Sequence, residues 1–392
     1  MGEIFRLNNK IQNYAWGSHS TLADMRNLPV PSKQPEAEVW VGAHPSAPSE
    51  VEIDGATVAL DDLVKRSPNR ILPSGTSDFP FLFKILAIDA PLSIQVHPTD
   101  AQAQAGFARE EAAGIQLDDP SRNYKDQHSK PETVIALSPM RILTGVRPPA
   151  ELDTIAEAFE LSWLSAITSA KSAKDILVSI ITMDEDDAHR AAQATVAGAR
   201  RWGASSESVP LLDHLVELIE TICEKCCDDT GLLIAVAMNL LNLEPGDAAF
   251  TPDGQVHAYI SGTAIEIMNP SDNVLRAGLT PKHIDATELM KILREDQRAP
   301  QIQRAEPDNA EVGVFSLWDE RMSVTRVRLS EGEEVKLDVH GTATALGTRG
   351  ELTFISADQA LTINPIESFL HIGSDTSLIV RGAGEAFIAS YV

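Results

Sequence analysis

The sequence predicts a mainly β protein with a helical insert. Short strand-like runs occupy residues 6–147 and return at Ala248, and the run 335–339 alternates apolar with polar residues. Between these regions, from Ala150 to about Leu243, apolar residues recur at three- and four-residue spacing, as on one face of an amphipathic helix. We therefore expect residues 1–149 and 244–308 to form one β unit, 150–243 a helical insert, and 309–392 a second β unit.

Composition sets the broad class. The 392 residues exceed one typical domain, and 43% apolar with 23% charged residues is ordinary for a globular protein. The formal charge of -25 argues against nucleic-acid binding and would repel an anionic ligand unless basic residues gather at its site. Residues 1–10 lack the apolar core of a signal peptide, and no later run is long enough to cross a bilayer. We expect a cytoplasmic protein without membrane contact, and no obligate protein partner is evident.

Strands dominate the first β region. Residues 81–88 form an apolar run interrupted only by Lys84, and residues 91–98 and 132–137 form further strands. A polar insertion at 99–122, helical over 100–113, separates the last two strands.

In the insert, one helical stripe comprises Leu212, Leu215, Val216, Ile219, Ile222 and Cys223. Cys226 continues this stripe, so we interpret both cysteines as a helical core face rather than a zinc or redox pair. The three cysteines fall within five positions, a spacing that we take to exclude a disulfide framework.

Strand character persists from Ala248 to Asn273, and a helix at 285–294 precedes a charged linker at 295–308. The last unit has short strands between glycine turns, which indicates a small closed or double-sheet β unit. His340 and His371 lack a neighbouring ligand set, so we expect a degenerate barrel that holds no metal.

Two distant stretches predict halves of one metal site. In the first, Ser93, Gln95 and His97 alternate with apolar residues and should share one strand face. In the second, Gly246, Pro252, Gly254 and His257 follow the spacing of the second motif of cupin barrels, and Tyr259 should lie on the same face as His257. The proline and glycine would form the turn that points this histidine inward.

The candidate ligands are one amide oxygen, two imidazole nitrogens and one carboxylate, from Gln95, His97, His257 and Glu132. Such a mixed N/O set suits Zn²⁺, Mn²⁺ or Fe²⁺. Because only one ligand is a carboxylate, the metal site would keep a net positive charge.

Four basic residues accompany these ligands and would attract a phosphate: Lys84, Lys130, Arg276 and Lys282. Lys84 lies between two apolar strand residues, where a lysine is unfavourable unless it is paired or functional. Structural ion pairs or solvated surface charge are the plain alternatives.

The chain closely resembles type I mannose-6-phosphate isomerases, a cupin family. The matching segments are residues 12–17, 38–40 with Gly42, 81–86, 95–98, 130–132 and 257–282. Two positions depart from the family: His128-Ser129 stands where many members have Asn-His, and Asn269-Pro270 replaces the usual Ala-x. The resemblance implies a cupin (jelly-roll) catalytic domain with a helical insert and a cupin-like C-terminal domain. It also implies one divalent metal, usually zinc, on Gln95, His97, Glu132 and His257, and Arg276 as a catalytic residue.

The implied reaction converts mannose 6-phosphate to fructose 6-phosphate reversibly, feeding mannose catabolism or GDP-mannose synthesis. We expect a cis-enediol route with the metal site and Arg276 stabilising the enediolate; the base could be Lys84, Lys130 or Glu266. The predicted sugar-phosphate contacts are Ser93, Tyr259, Asp272, Lys282 and Trp16. The alternative is a non-catalytic sugar-phosphate-binding cupin. A cupin dioxygenase would need a His-x-His pair that Gln95-Val96-His97 lacks, and no motif resembles a nucleotidyltransferase.

Overall fold

The computed structural model describes residues 2–73, 75–168, 172–226, 230–308, 310–356, 359–373 and 376–392. The first part contains β1 (Glu3–Asn8), β2 (Lys10–Gln12), α1 (Thr21–Met25), β3 (Glu38–Val41), β4 (Glu50–Ile53), β5 (Ala56–Ala59), α2 (Leu60–Arg66), α3 (Pro68–Ile71), β6 (Leu82–Ile88), β7 (Ile94–Val96), α4 (Asp100–Ala112), β8 (Glu132–Ala136) and β9 (Met140–Val146). The helical part contains α5 (Pro149–Phe159), α6 (Ser162–Thr168), α7 (Ala173–Ile181), α8 (Glu185–Gly203), α9 (Pro210–Cys226) and α10 (Gly231–Ala237). The remainder contains β10 (Met238–Leu243), β11 (Ala248–Thr251), β12 (His257–Met268), β13 (Leu275–Gly278), α11 (Ala286–Ile292), β14 (Val312–Ser316), β15 (Met322–Leu329), β16 (Glu334–Val339), β17 (Thr342–Ser356), β18 (Gln359–Ile363), β19 (Ser368–Ile372) and β20 (Thr376–Tyr391). The prediction of a mainly β chain with a helical insert is confirmed.

Two ten-stranded sheets carry the fold. The first, here the C-terminal sheet, has the order β14-β15-β20-β17-β19-β1-β4-β5, with β16 on β20 and β18 on β17. The second, here the site sheet, has the order β10-β9-β12-β6-β3-β2, with β7 and β8 on β12, β13 on β7, and β11 on β8. A shared apolar core, including Val39 and Ile85 from one sheet and Leu370 and Phe387 from the other, joins them.

Neither sheet closes into a barrel among the described strands, so the expectation of barrels is corrected to two open, folded sheets. In the site sheet, β12 changes partners along its length. Residues 262–268 pair with β6 and β8, whereas the start of the strand, from His257 to Ser261, pairs with β9. The register shifts between Tyr259 and Ser261, and Gly262 follows with a φ of +118°, which bends the strand at this point.

Long-range pairing also modifies the predicted units. Strand β1 pairs with β19, from Glu3 opposite Ile372 to Leu7 opposite Ser368, so the start of the chain belongs to the C-terminal sheet. Residues 238–243, predicted as the end of the helical insert, form β10 and pair with β9. Local alternation cannot reveal such partners, because it fixes the face of a strand and not its neighbour. The division into three units remains a prediction with these changes.

The helical insert packs behind the strands that carry the predicted site. Ile94 and Val96 of β7 and Ala258 and Ile260 of β12 share one apolar core with helices α5 to α10. Since successive strand residues point to opposite faces, the side chain of Gln95 lies on the other side of the sheet.

The predicted apolar stripe of α9 is buried, and Cys223 packs against the same core. Cys223 is also disulfide-bonded, which corrects the expectation drawn from the cysteine spacing. The side chain of Cys226 and all of Cys227 lie outside the described part of the chain. No helix in the described ranges combines the length and the apolar character that crossing a membrane requires.

Candidate metal centre

Three buried side chains from separate elements converge at the predicted ligand site. Glu132 begins β8, His257 begins β12, and His97 follows β7. Nε2 of His97 lies 3.3 Å from Oε1 of Glu132, and Nε2 of His257 lies 3.3 Å from Oε2 of the same carboxylate. Their potential ligand atoms all fall within 4.8 Å of one another, a spacing that a single ion can bridge.

The hydrogen bonds of the two imidazoles fix which nitrogen faces Glu132. Nδ1 of His97 lies 2.7 Å from the carbonyl oxygen of Asn273, and Nδ1 of His257 lies 3.1 Å from that of Gln255. Each Nδ1 therefore donates to a carbonyl oxygen, so in the neutral ring Nε2 is the nitrogen that has a lone pair. The buried Nε2 of His97 has no hydrogen-bond partner, although a carboxylate oxygen lies 3.3 Å away. Two acceptors that face each other in this way fit a cation between them.

The protonation states also suit a metal. Burial, reinforced by Lys130, lowers the pKa of His97 to about 4. Burial alone would raise the pKa of Glu132, but Lys130 and the two imidazoles hold this pKa well below its ordinary value. At neutral pH His97 therefore offers a neutral imidazole and Glu132 an ionised carboxylate, the forms that bind metal.

Gln95 is placed beside this cluster. It lies opposite His257 in the β7–β12 pairing, and both residues line one cavity beside the cluster. Its Nε2 donates to Oγ of Ser93 at 3.2 Å, so its carbonyl oxygen is the atom available as a ligand.

Gly254 positions the turn before His257. Its φ is +75°, and its N–H donates to the carbonyl oxygen of His97 at 2.8 Å, which joins the two halves of the site. A Cβ atom at Gly254 would lie 2.8 Å from the carbonyl oxygen of Ile292, so a larger residue does not fit.

A second group of buried acidic and basic side chains also lines the cavity. Nζ of Lys84 lies 3.1 Å from Oε2 of Glu266 and 3.8 Å from Oε2 of Glu38, and it lies 5.1 Å from the ring centroid of Trp40. Burial alone would lower the pKa of Lys84, but Glu38 and Glu266 raise it above its usual value. Burial raises the pKa of Glu266, against the effect of Lys84.

The phenol of Tyr259 lies in the same cavity, with its ring centroid 6.2 Å from that of His257. Its hydroxyl is buried without a hydrogen-bond partner, and burial, followed by the charge of Glu266, raises its pKa. Lys130 lies 2.8 Å from Oε1 of Glu132 and also lines the cavity.

The remaining predicted residues lie outside this cavity. Arg276 is opposite Gln95 on β13, is half-buried, and makes no ion pair within the described ranges. Lys282 is exposed. Its pKa is lowered, first by the partial burial of its ammonium group and then by the charge of Arg276. Asp272 is half-exposed beside His44 at 3.5 Å, and Trp16 packs against Tyr14 with ring centroids 5.9 Å apart.

Sequence reasoning missed two residues that support the site. Glu38 pairs with Lys84 and accepts a hydrogen bond from the indole of Trp40. Asn273 orients His97 with its carbonyl, while its own amide nitrogen donates to the carbonyl of Asp126 at 2.9 Å. Both lie in segments that match the resembled family, which was the available signal.

The comparisons agree with this geometry. The family pattern described as phosphomannose isomerase type I, catalytic domain, matches residues 4–149. The chain is 34% identical to the mannose-6-phosphate isomerase of Salmonella typhimurium over 95% of each chain, and 33% identical to that of Escherichia coli over 97% of each. It is also similar, with a TM-score of 0.85 and 30% identity over 99% of each chain, to the crystal structure of the Salmonella typhimurium enzyme bound to fructose 6-phosphate and zinc.

Proposed function

The chain belongs to the type I phosphomannose isomerases, and we propose that Gln95, His97, Glu132 and His257 hold the zinc ion of a mannose-6-phosphate isomerase. The facing, unprotonated Nε2 of His97 and carboxylate of Glu132 carry this proposal, because the pair needs a cation. A bound divalent ion supplies a Lewis acid for negative charge that develops on sugar oxygens. We favour the isomerase over a non-catalytic binding protein, because the relatives that match this chain over nearly its full length are isomerases.

The reaction moves a hydrogen between C1 and C2 of the open-chain sugar, so it needs a base. We assign this role to Glu266. Three buried carboxylates line the cavity, those of Glu38, Glu132 and Glu266. The surroundings shift the pKa values of two of them in opposite directions: Glu132 downward and Glu266 upward. Such divergence separates an ionised ligand from a group that exchanges a proton. Lys84, whose pKa is raised, keeps its proton and orients Glu266.

Arg276 and Lys130 supply positive charge for the enediolate that forms between the two sugars. Direct cross-strand partners project from the same face, so Arg276 points to the side on which Gln95 lines the cavity.

The cavity takes the reacting end of the substrate. Its volume is about 70 Å³, and the proposed metal ligands Gln95, Glu132 and His257 line it. The C1–C2 end would enter it, with Ser93 and Tyr259 as contacts. The phosphate would stay outside, near the cationic residues Arg276, Lys282 and Lys125. The substrate is thus a sugar phosphate; we place the enzyme in the cytoplasm, without nucleic-acid, membrane or obligate protein partners.

Two measurements test this function. Zinc-loaded protein should form fructose 6-phosphate from mannose 6-phosphate, lose this activity with a chelator and regain it with zinc. In D₂O the product should carry deuterium, because a base exchanges its proton with solvent. A product without deuterium would indicate a hydride shift instead of an enediol intermediate. The absence of any product would refute the assignment as an isomerase.

The role of Glu266 is tested by Glu266→Gln, which should lower kcat by about 10²–10⁴-fold with zinc content unchanged. Glu110→Gln is the matched control, since Glu110 is equally buried and lies 3.2 Å from Arg122, away from the cavity. A near-normal kcat in Glu266→Gln would show that Glu266 is not the base, and we would then assign this role to Lys130.

A further inference from the structure

A second cleft lies between the two sheets, away from the metal centre. Its volume is about 280 Å³. Ser138 and Gly246 form its wall on the site-sheet side, and Arg326, Arg328 and Arg349 of β15 and β17 form the wall on the C-terminal side. We call it the arginine cleft. None of its lining residues belongs to the proposed catalytic set.

Arg326 is a buried cation with unused hydrogen-bond donors. Only 2% of its surface is exposed, and its Nε and Nη2 are buried without a hydrogen-bond partner. Oδ1 of Asp308 lies 3.8 Å from Nη2, beyond hydrogen-bond distance. Burial, followed by the charge of Arg328, lowers the pKa of Arg326, against the smaller effects of Glu385 and Asp308. Buried charged groups in proteins are normally paired or bound to a ligand.

The charged side chains described around the cleft include one more cation than anion. Glu385 is shared by Arg328 at 2.8 Å and Arg349 at 3.9 Å, and Asp247 lies 2.8 Å from Arg304. Four guanidinium groups thus face three carboxylates, namely Arg304, Arg326, Arg328 and Arg349 against Asp247, Asp308 and Glu385. This excess occurs in a chain whose formal charge is -25, where a chance basic site is disfavoured.

We propose that the arginine cleft binds a phosphoryl dianion, either free phosphate or the phosphate of a sugar phosphate. A planar guanidinium presents parallel N–H donors that match two phosphate oxygens, and Arg326, whose guanidinium keeps two unused donors, lines the cleft. The exposed Arg349 and half-exposed Arg328 add charge at the cleft mouth. Because the walls come from both sheets, the bound anion stabilises the contact between them.

Phosphate titration calorimetry on zinc-loaded protein tests the site. The Arg276→Ala background removes the phosphate contact proposed at the metal centre. In that background, adding Arg326→Met should weaken inorganic phosphate binding at least about tenfold and abolish the rise in Tm that phosphate causes. Arg70→Gln is the control, because Arg70 forms exposed ion pairs elsewhere, and it should leave binding unchanged.

If Arg326→Met does not fold, the double variant Arg328→Gln/Arg349→Gln carries the same test at more exposed positions. Tighter binding of glucose 6-phosphate than of phosphate would identify a sugar phosphate as the ligand, and weaker binding would identify free phosphate. Equal phosphate affinity with and without Arg326, or no binding in the Arg276→Ala background, would overturn the proposal.

Discussion

Lys84→Met should destabilise the protein far more than the same change at an exposed lysine. Nζ of Lys84 lies 3.1 Å from Glu266 and 3.8 Å from Glu38, with all three side chains at most 8% exposed. Removing one partner of a buried ion pair leaves an uncompensated charge, which costs about 3–5 kcal/mol. Here two carboxylates lose their shared cation, so we expect a loss of at least about 3 kcal/mol at pH 8.

The control is Lys10→Met. Nζ of Lys10 lies 3.1 Å from Glu50, the same distance as in the buried pair, but the two side chains are 50% and 42% exposed. Exposed ion pairs contribute about 0–1 kcal/mol, so this variant should stay within about 1 kcal/mol of the parent. Burial is then the main difference between the two substitutions.

Urea unfolding of chelator-treated protein at pH 8 and pH 5.5 provides the measurement, since removing metal removes its linkage to folding. Without Lys84, the pKa of Glu266 in the folded state, already raised by burial, rises further. The folded state then binds a proton that the unfolded state lacks, so stability falls as the pH rises. The penalty of Lys84→Met should therefore be smaller at pH 5.5 than at pH 8. A loss below about 1 kcal/mol, or one equal at both pH values, would refute this reasoning.

Three further predictions concern pH and the backbone. Burial lowers the pKa of His371 to about 4 from its usual 6.5, so the folded state binds fewer protons than the unfolded state. Stability should therefore fall as the pH drops from about 6.5 towards 4, by up to about 3 kcal/mol, and His371→Leu should flatten this slope in urea titrations. Gly254→Ala should weaken zinc binding, measured in competition with a chromophoric chelator, because it disturbs the left-handed turn that positions His257. Gly55→Ala is the control and should leave zinc binding unchanged, because a Cβ atom at Gly55 would meet no other atom. Thr99→Ala should lower the free energy of unfolding by about 0.5–2 kcal/mol, because Oγ1 of Thr99 caps α4 by accepting from the Gln102 N–H. An unchanged urea midpoint would mean that the cap does not stabilise the protein.

The faces of the site strands could be predicted from the sequence. Alternation placed Ser93, Gln95 and His97 together, and in the structure Gln95 contacts Ser93 while His97 faces Glu132. The helix predicted over 100–113 is also present as α4, where Thr99 and Gln102 form a capping box.

The partners of these strands could not be predicted. Lys84 is recognisable as an unusual strand lysine, but its partner Glu266 is set by the β6–β12 register, and Glu38 by the β3–β6 register. Register is decided by packing between segments far apart in sequence, which no local pattern records. For the same reason the pairing of β1 with β19 and the partner change at Gly262 were not foreseen.

A crystal of the zinc-loaded protein, measured on both sides of the zinc absorption edge, tests the central claim most directly. We predict one anomalous peak within bonding distance of Nε2 of His97, Nε2 of His257 and the carboxylate of Glu132, with the Gln95 carbonyl beside it. A peak elsewhere, or a site whose imidazoles turn Nδ1 towards the metal, would contradict the assignment.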